Sequence, residues 1–133
     1  MSAAPDRRTT LPPGGAPAPE QADGIKLRPL AEEVTERYAV EFPDEDERYE
    51  PEVWRAWCVH DSRYLLQWAI LDVAGTTDLA QQVGWLARIL GARDFPLDRL
   101  ARTLELCGDV LAEEHGRDDV AERLRAVAAT VGR

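Results

Sequence analysis

Lysine is nearly missing from this chain. Lys26 is the only one in 133 residues, so the other 15 of its 16 basic residues are arginines. With alanine and proline frequent in the head, that bias reads as coding preference rather than as an arginine function. Long apolar runs are missing as well: none approaches the roughly 20 residues that a membrane-spanning helix needs. No leader is evident, because Arg7-Arg8 is followed by Leu-Pro-Pro-Gly-Gly where a signal peptide requires an apolar core, so a cytoplasmic location is expected. Cysteine is scarce, with two residues, and without an export signal these are expected as reduced thiols, not a staple. Positive charge is in deficit: 25 acids against 16 bases give a net charge of −9. An acidic surface repels phosphate backbones, which disfavours direct nucleic-acid binding. Neither a glycine-rich phosphate loop nor a dinucleotide fingerprint occurs.

What is present points to helices. Residues 1–24 hold Pro5, Pro12, Pro13, Pro17, Pro19 and Gly14-Gly15 among alanines, a composition with few side chains to offset ordering entropy, and a disordered tail is expected there. Residues 25–133 are expected to form one domain. Leu27, Leu30, Val34 and Tyr38 recur at helical spacing and Phe42-Pro43 closes the pattern, predicting a short first helix. Glu41, Asp44, Glu45, Asp46 and Glu47 follow as an acidic connector. Charge is polarised: residues 25–80 carry 13 acids and 6 bases, net −7, against 9 and 8, net −1, over 81–133. The connector is expected to be a solvated loop, or a face for a basic protein partner.

The most unusual stretch spans residues 51–75, with three of the four tryptophans, one cysteine and one histidine. Pro51 suits a first helical turn and Gly75 a left-handed C-terminal position. Val53, Trp57, His60, Tyr64 and Leu71 run along one side and Trp54, Cys58, Asp61, Leu65, Trp68 and Asp72 along another; between Tyr64 and Leu71 the helix is apolar nearly all round, predicting burial by several neighbours. Thr76-Thr77-Asp78 offers an N-cap for a fourth-turn pattern of Leu79, Val83, Leu86 and Leu90. Pro96 opens a stripe of Leu97, Leu100, Leu104, Cys107 and Leu111 that Gly116 ends, and Val120, Leu124, Val127 and Val131 define a last helix. No segment alternates with period two for long enough to predict a sheet. The expected fold is all-α: an antiparallel bundle of four main helices plus a short N-terminal one.

Spacing removes several chemistries. Cys58 and His60 point about 200° apart on one helix, and Cys107 and His115 are separated by about 12 Å of rise, so neither pair chelates a metal while helical. The Glu-x-x-His motif of di-iron bundles is absent, since Trp57 and Ala112 stand three before the two histidines. A nucleophile at Cys58 or Ser62 beside His60 and Asp61 would need helix neighbours to face one another. A non-enzyme is therefore favoured, with a small enzyme on the His60/Asp61 face as one alternative. Trp57, His60, Asp61, Tyr64 and Trp68 remain as an aromatic-lined candidate for a small apolar ligand or a flat cofactor such as haem. Asp61 and Asp72 need solvent or a partner, with Arg88, Arg93 and Arg99 the expected ones. Four tryptophans also make a homodimer plausible.

Residues 53–112 resemble the helical modules of corrinoid-binding proteins and B12-dependent photoreceptor regulators. The resemblance lies in His60-x3-Tyr64-Leu65-Leu66-x2-Ala69, in Trp85-Leu86-Ala87-Arg88-Ile89-Leu90-x-Ala92-Arg93, and in Pro96-x2-Arg99-Leu100-Ala101-x2-Leu104-Glu105. In those photoreceptors a Trp followed ten residues later by Glu-His caps the corrinoid. Here Glu114-His115 is preceded at that distance by Leu104, and the Asp-x-His-x-x-Gly motif of the B12 domain is missing. The resemblance thus implies a free-standing bundle that has lost corrinoid binding. The functional expectation is a regulatory or adaptor bundle for a protein partner, with a sensory module for a haem-like, corrinoid-like or small hydrophobic ligand as the alternative.

Overall fold

Helix propensity and the 3.6-residue spacing of the apolar side chains dominate the observed architecture. The structure, a computed structural model, describes residues 11–12 and 18–131. Among them, six helices and one two-stranded ribbon follow in the order β1 (Gln21–Ala22), β2 (Ile25–Lys26), α1 (Leu27–Glu41), α2 (Glu45–Arg48), α3 (Pro51–Val73), α4 (Leu79–Gly91), α5 (Leu97–His115) and α6 (Asp118–Ala128). The tail expected over 1–24 lies largely outside the described residues. Its last part, 18–24, carries the first strand and the turn that follows it. Asp23 and Gly24 have φ of 50° and 77°, the left-handed pair that a tight type I′ turn requires. They close an antiparallel ribbon pairing Gln21 with Lys26 and Ala22 with Ile25. Two-residue strands are too short for alternation to betray them, so no sheet was expected; the Asp-Gly turn is the only local signal.

The ribbon leads without a break into α1, where Leu27, Leu30, Ala31, Val34 and Tyr38 are buried. At 15 residues α1 is longer than α4 and α6, and it packs against both α3 and α5. It is a principal part of the core rather than a short appendage. α3 ends as its glycine suggests, with Gly75 at φ 85°. α4 is capped by the Asp78 carboxylate, which accepts from the Gln81 amide at 3.1 Å. α5 ends on Gly116 in the left-handed region, φ 63°.

The most extensive helix contact is α5 on α6. A Cβ added to Gly108 would lie 3.3 Å from both the Cα and the carbonyl oxygen of Ala121, so the two backbones approach through a glycine. Burial on α3 is one-sided: Leu65, Leu66, Ala69 and Ile70 are inaccessible while Tyr64, Gln67, Trp68 and Leu71 keep partial exposure. An apolar composition all round therefore does not produce burial all round. Of the tryptophans, Trp54 and Trp57 are buried, Trp68 is half-buried and Trp85 is 51% exposed.

Candidate functional site

The aromatic side of α3 forms a ladder. Trp57 and His60 pack edge to face at 5.2 Å between ring centroids, His60 and Tyr64 at 5.3 Å, and Tyr64 and Trp68 tilt together at 5.7 Å. Helical spacing of three and four residues stacks these side chains one turn apart. His60 and Asp61, although neighbours on the helix, do meet: Nδ1 lies 3.0 Å from the Asp61 Oδ1. The expectation that adjacent helical residues face apart fails at this pair, where the imidazole reaches sideways to the carboxylate.

The ladder does not line one pocket. Trp57 and Asp61 belong to a cavity of about 700 Å³ that also touches α2, the turn between α4 and α5, and the first turns of α5. His60 lines a separate cavity of about 510 Å³ on the flank between α1 and α3. Tyr64 and Trp68 line neither. The five candidate ligand residues are thus a continuous surface but not a single site.

The larger cavity has an aromatic wall of Tyr49, Trp54, Trp57 and Phe95 above an apolar floor of Leu65, Leu90 and Leu100. The spacing along α3 assigns Trp54, Asp61 and Leu65 to one side and Trp57 to another, and the cavity joins the two sides. Tyr49 and Phe95 come from connectors and gave no signal. Phe95 is turned inward by the preceding residue, Asp94, which takes a left-handed φ of 59°, a conformation that aspartate tolerates better than most residues. Cys58 and Ser62 face the same space, with Sγ 3.9 Å from Oγ. Burial pushes the Cys58 thiol up to about 11, against the hydroxyls of Thr35 and Ser62. A thiol in that state is protonated near neutral pH and is a poor nucleophile. His60 is aimed at Asp61 and not at either of them.

The acidic connector is folded back on the protein. Glu45 is 2% exposed; its Oε1 accepts from Arg99 at 2.6 Å and from Arg48 at 3.1 Å, and its Oε2 from the Tyr38 hydroxyl at 3.1 Å. Asp44 accepts from the other Arg99 nitrogen at 2.8 Å. Glu41 accepts twice from Arg102, at 2.7 and 2.9 Å. Asp46 takes the indole N–H of Trp54 at 2.9 Å. Only Glu47 of the five candidate partner-binding acids stands exposed with no side-chain hydrogen bond among the described residues. The connector is therefore not a free solvated loop; α2 is a clamp, with the Arg99 guanidinium also lying 4.4 Å from the Phe42 ring centre. Burial followed by the charge of Glu45 raises the Tyr38 hydroxyl well above its ordinary range. The partner of Asp72 is Arg123, at 3.0 Å, in place of the arginines expected for it.

Among the described residues, no three His, Cys, Asp or Glu side chains gather where they could hold a metal ion, and no helix is long and apolar enough to cross a membrane. No family model matches this chain, and no curated protein or solved structure matches it.

Proposed function

We propose that this protein is a non-enzymatic regulatory module that binds a small, flat organic ligand in the cavity beside Trp57. The carrying observation is the cavity itself: about 700 Å³, lined by the five aromatic side chains of Tyr38, Tyr49, Trp54, Trp57 and Phe95 and within the size range of small-molecule sites. Its framework we take to be an antiparallel bundle of α3, α4, α5 and α6 with α1 packed against it. The high thiol pKa of Cys58 and the orientation of His60 toward Asp61 support binding over catalysis. Because α2 contributes Glu45 and Arg48 to the cavity lining, occupancy would act on the segment that carries the acidic side chains, and a protein partner would sense it there.

The test is fluorescence titration with N-phenyl-1-naphthylamine, a neutral, flat probe. Saturable binding at one site per chain is expected, weakened tenfold or more by Trp57→Ala. Ala92→Trp, at an exposed position on the cavity rim, should block the same site without touching the core. Binding that neither substitution changes defeats the reading. Haem and cobalamin are separate arms: an unaltered Soret or corrin spectrum on mixing removes the tetrapyrrole versions.

A further inference from the structure

The smaller cavity has a chemistry of its own. Arg63, in the middle of α3, is 6% exposed, yet no carboxylate among the described residues pairs with it. Its Nε–H donates to the Pro19 carbonyl at 2.9 Å and its Nη2 to the Ala18 carbonyl at 2.7 Å. A guanidinium carries five N–H donors, and among the described residues no hydrogen bond of the Nη1 end accompanies these two. No described side-chain nitrogen or oxygen is both sealed from solvent and unsatisfied, and Arg63 lines the smaller cavity. Arg28 lines the same space. Burial first, and then the like charge of Arg28, lowers the pKa of Arg63, with Glu20 and Tyr64 acting the other way.

The charge balance of the lining sets the ligand. Arg28, Arg55 and Arg63 face Glu32 and Glu36, three positive against two negative, and Glu36 is already held by Arg55 at 2.9 Å. One positive charge is in surplus, in a protein whose net charge is −9. A single negative charge neutralises it, whereas a doubly charged phosphate overshoots. The planar fork of an arginine matches a carboxylate in two parallel hydrogen bonds. His60 and Thr35 add two neutral polar groups, and Leu11, Pro12, Ala56 and Val59 give the wall an apolar part, with Leu11 57% exposed.

We propose that the cavity between α1 and α3 is a second ligand site, which takes a monocarboxylate with an apolar body, its headgroup held by Arg63 and Arg28 and its body covering Leu11 and Val59. The ligand supplies a hydrogen-bonded counter-charge at a guanidinium whose two hydrogen bonds go to backbone carbonyls, where an unpaired charge is costly.

Calorimetric titration of the full chain with sodium octanoate, 1-octanol and inorganic phosphate tests this. Octanoate is expected to bind saturably, with octanol and phosphate at least tenfold weaker. Arg28→Gln, at an exposed position that the core does not need, should weaken octanoate tenfold or more, and Arg63→Lys should weaken it while keeping the charge, because the fork is lost. Octanoate should leave N-phenyl-1-naphthylamine bound in the larger cavity. Octanol or phosphate binding as tightly as octanoate, an unchanged affinity in Arg28→Gln, or displacement of the naphthylamine would each overturn the second site. Since the two sites are probed by different molecules, failure of one leaves the other standing.

Discussion

At the scale of single residues, Glu45 and Asp72 show how far burial departs from residue type. Glu45 sits in a run of four acids whose local sequence signals solvent, and the contact that buries it comes from Arg99, 54 positions away. No window of neighbouring residues contains that information. Its removal leaves Arg99 and Arg48 facing an empty acceptor, and breaking one side of a buried pair costs about 3 kcal/mol or more. Glu45→Ala is therefore expected to lose about 3 kcal/mol in urea unfolding, while Glu47→Ala, two residues on and exposed, stays within about 0.5 kcal/mol. Equal effects would mean that the clamp contributes nothing. Asp72 carries a pH dependence. Burial works to raise its pKa, but the Leu79 amide at 2.8 Å and Arg123 outweigh it and hold the carboxyl below its usual range. A carboxylate with a lowered folded-state pKa stabilises the fold above its unfolded pKa, near 4, and that contribution fades as pH falls through the folded value. Stability should therefore drop on acidification from about pH 5. Asp72→Asn keeps an acceptor for Leu79 but cannot titrate, so the difference in urea midpoint between pH 6 and pH 3 should shrink. An unchanged difference would assign the acid sensitivity to other carboxylates, such as Glu41 and Asp44, whose pKa values Arg102 and Arg99 also lower.

At the scale of elements, the long helices were legible because their buried stripes and their end residues agree: Asp78 caps α4, Gly116 terminates α5, and Leu27, Leu30, Val34 and Tyr38 are all buried in α1. What escaped were the elements whose stability is borrowed. The four-residue α2 exists through Glu45 and Trp54, and β1 and β2 are two residues each, below the length at which periodicity has meaning. Two helix-interior glycines separate propensity from packing. Gly84 in α4 has nothing within 4 Å of an added Cβ, whereas Gly108 in α5 has Ala121 backbone atoms at 3.3 Å. Gly84→Ala should stabilise by about 0.5–1 kcal/mol, from helix propensity alone. Gly108→Leu should destabilise by about 2 kcal/mol or more, because the α5 and α6 backbones must separate. Thermal unfolding of the two variants compares these directly; a stabilised Gly108→Leu would show that the helices are free to part.

At the scale of the whole molecule, four ion pairs join acids of the acid-rich first half of the domain to arginines of the second: Glu41 to Arg102, Asp44 and Glu45 to Arg99, Asp72 to Arg123. The charge polarity visible in the sequence is thus partly the complementarity of one half for the other, which reduces the acidic face left for a partner. Arg63 is the exception, since it is anchored by backbone carbonyls from a stretch that composition assigned to the tail. Proline-rich composition describes the entropy a segment loses on ordering, not the acceptors it can offer to a buried cation. The consequence can be measured with two shortened chains, one starting at residue 18 and one at residue 21. They differ in the Ala18 and Pro19 carbonyls and in the Glu20 carbonyl that accepts from the Leu27 amide at 2.9 Å. Hydrogen bonds to a charged group contribute about 1.5–3 kcal/mol each, but a guanidinium freed of its cover hydrates, so the shorter chain should be less stable by about 2 kcal/mol. In an Arg63→Leu background that difference should fall below about 1 kcal/mol, because the two changes act through one interaction and cannot add. A gap of the same size in both backgrounds would mean that the arm holds to α3 by packing of Ala18 and not through the arginine.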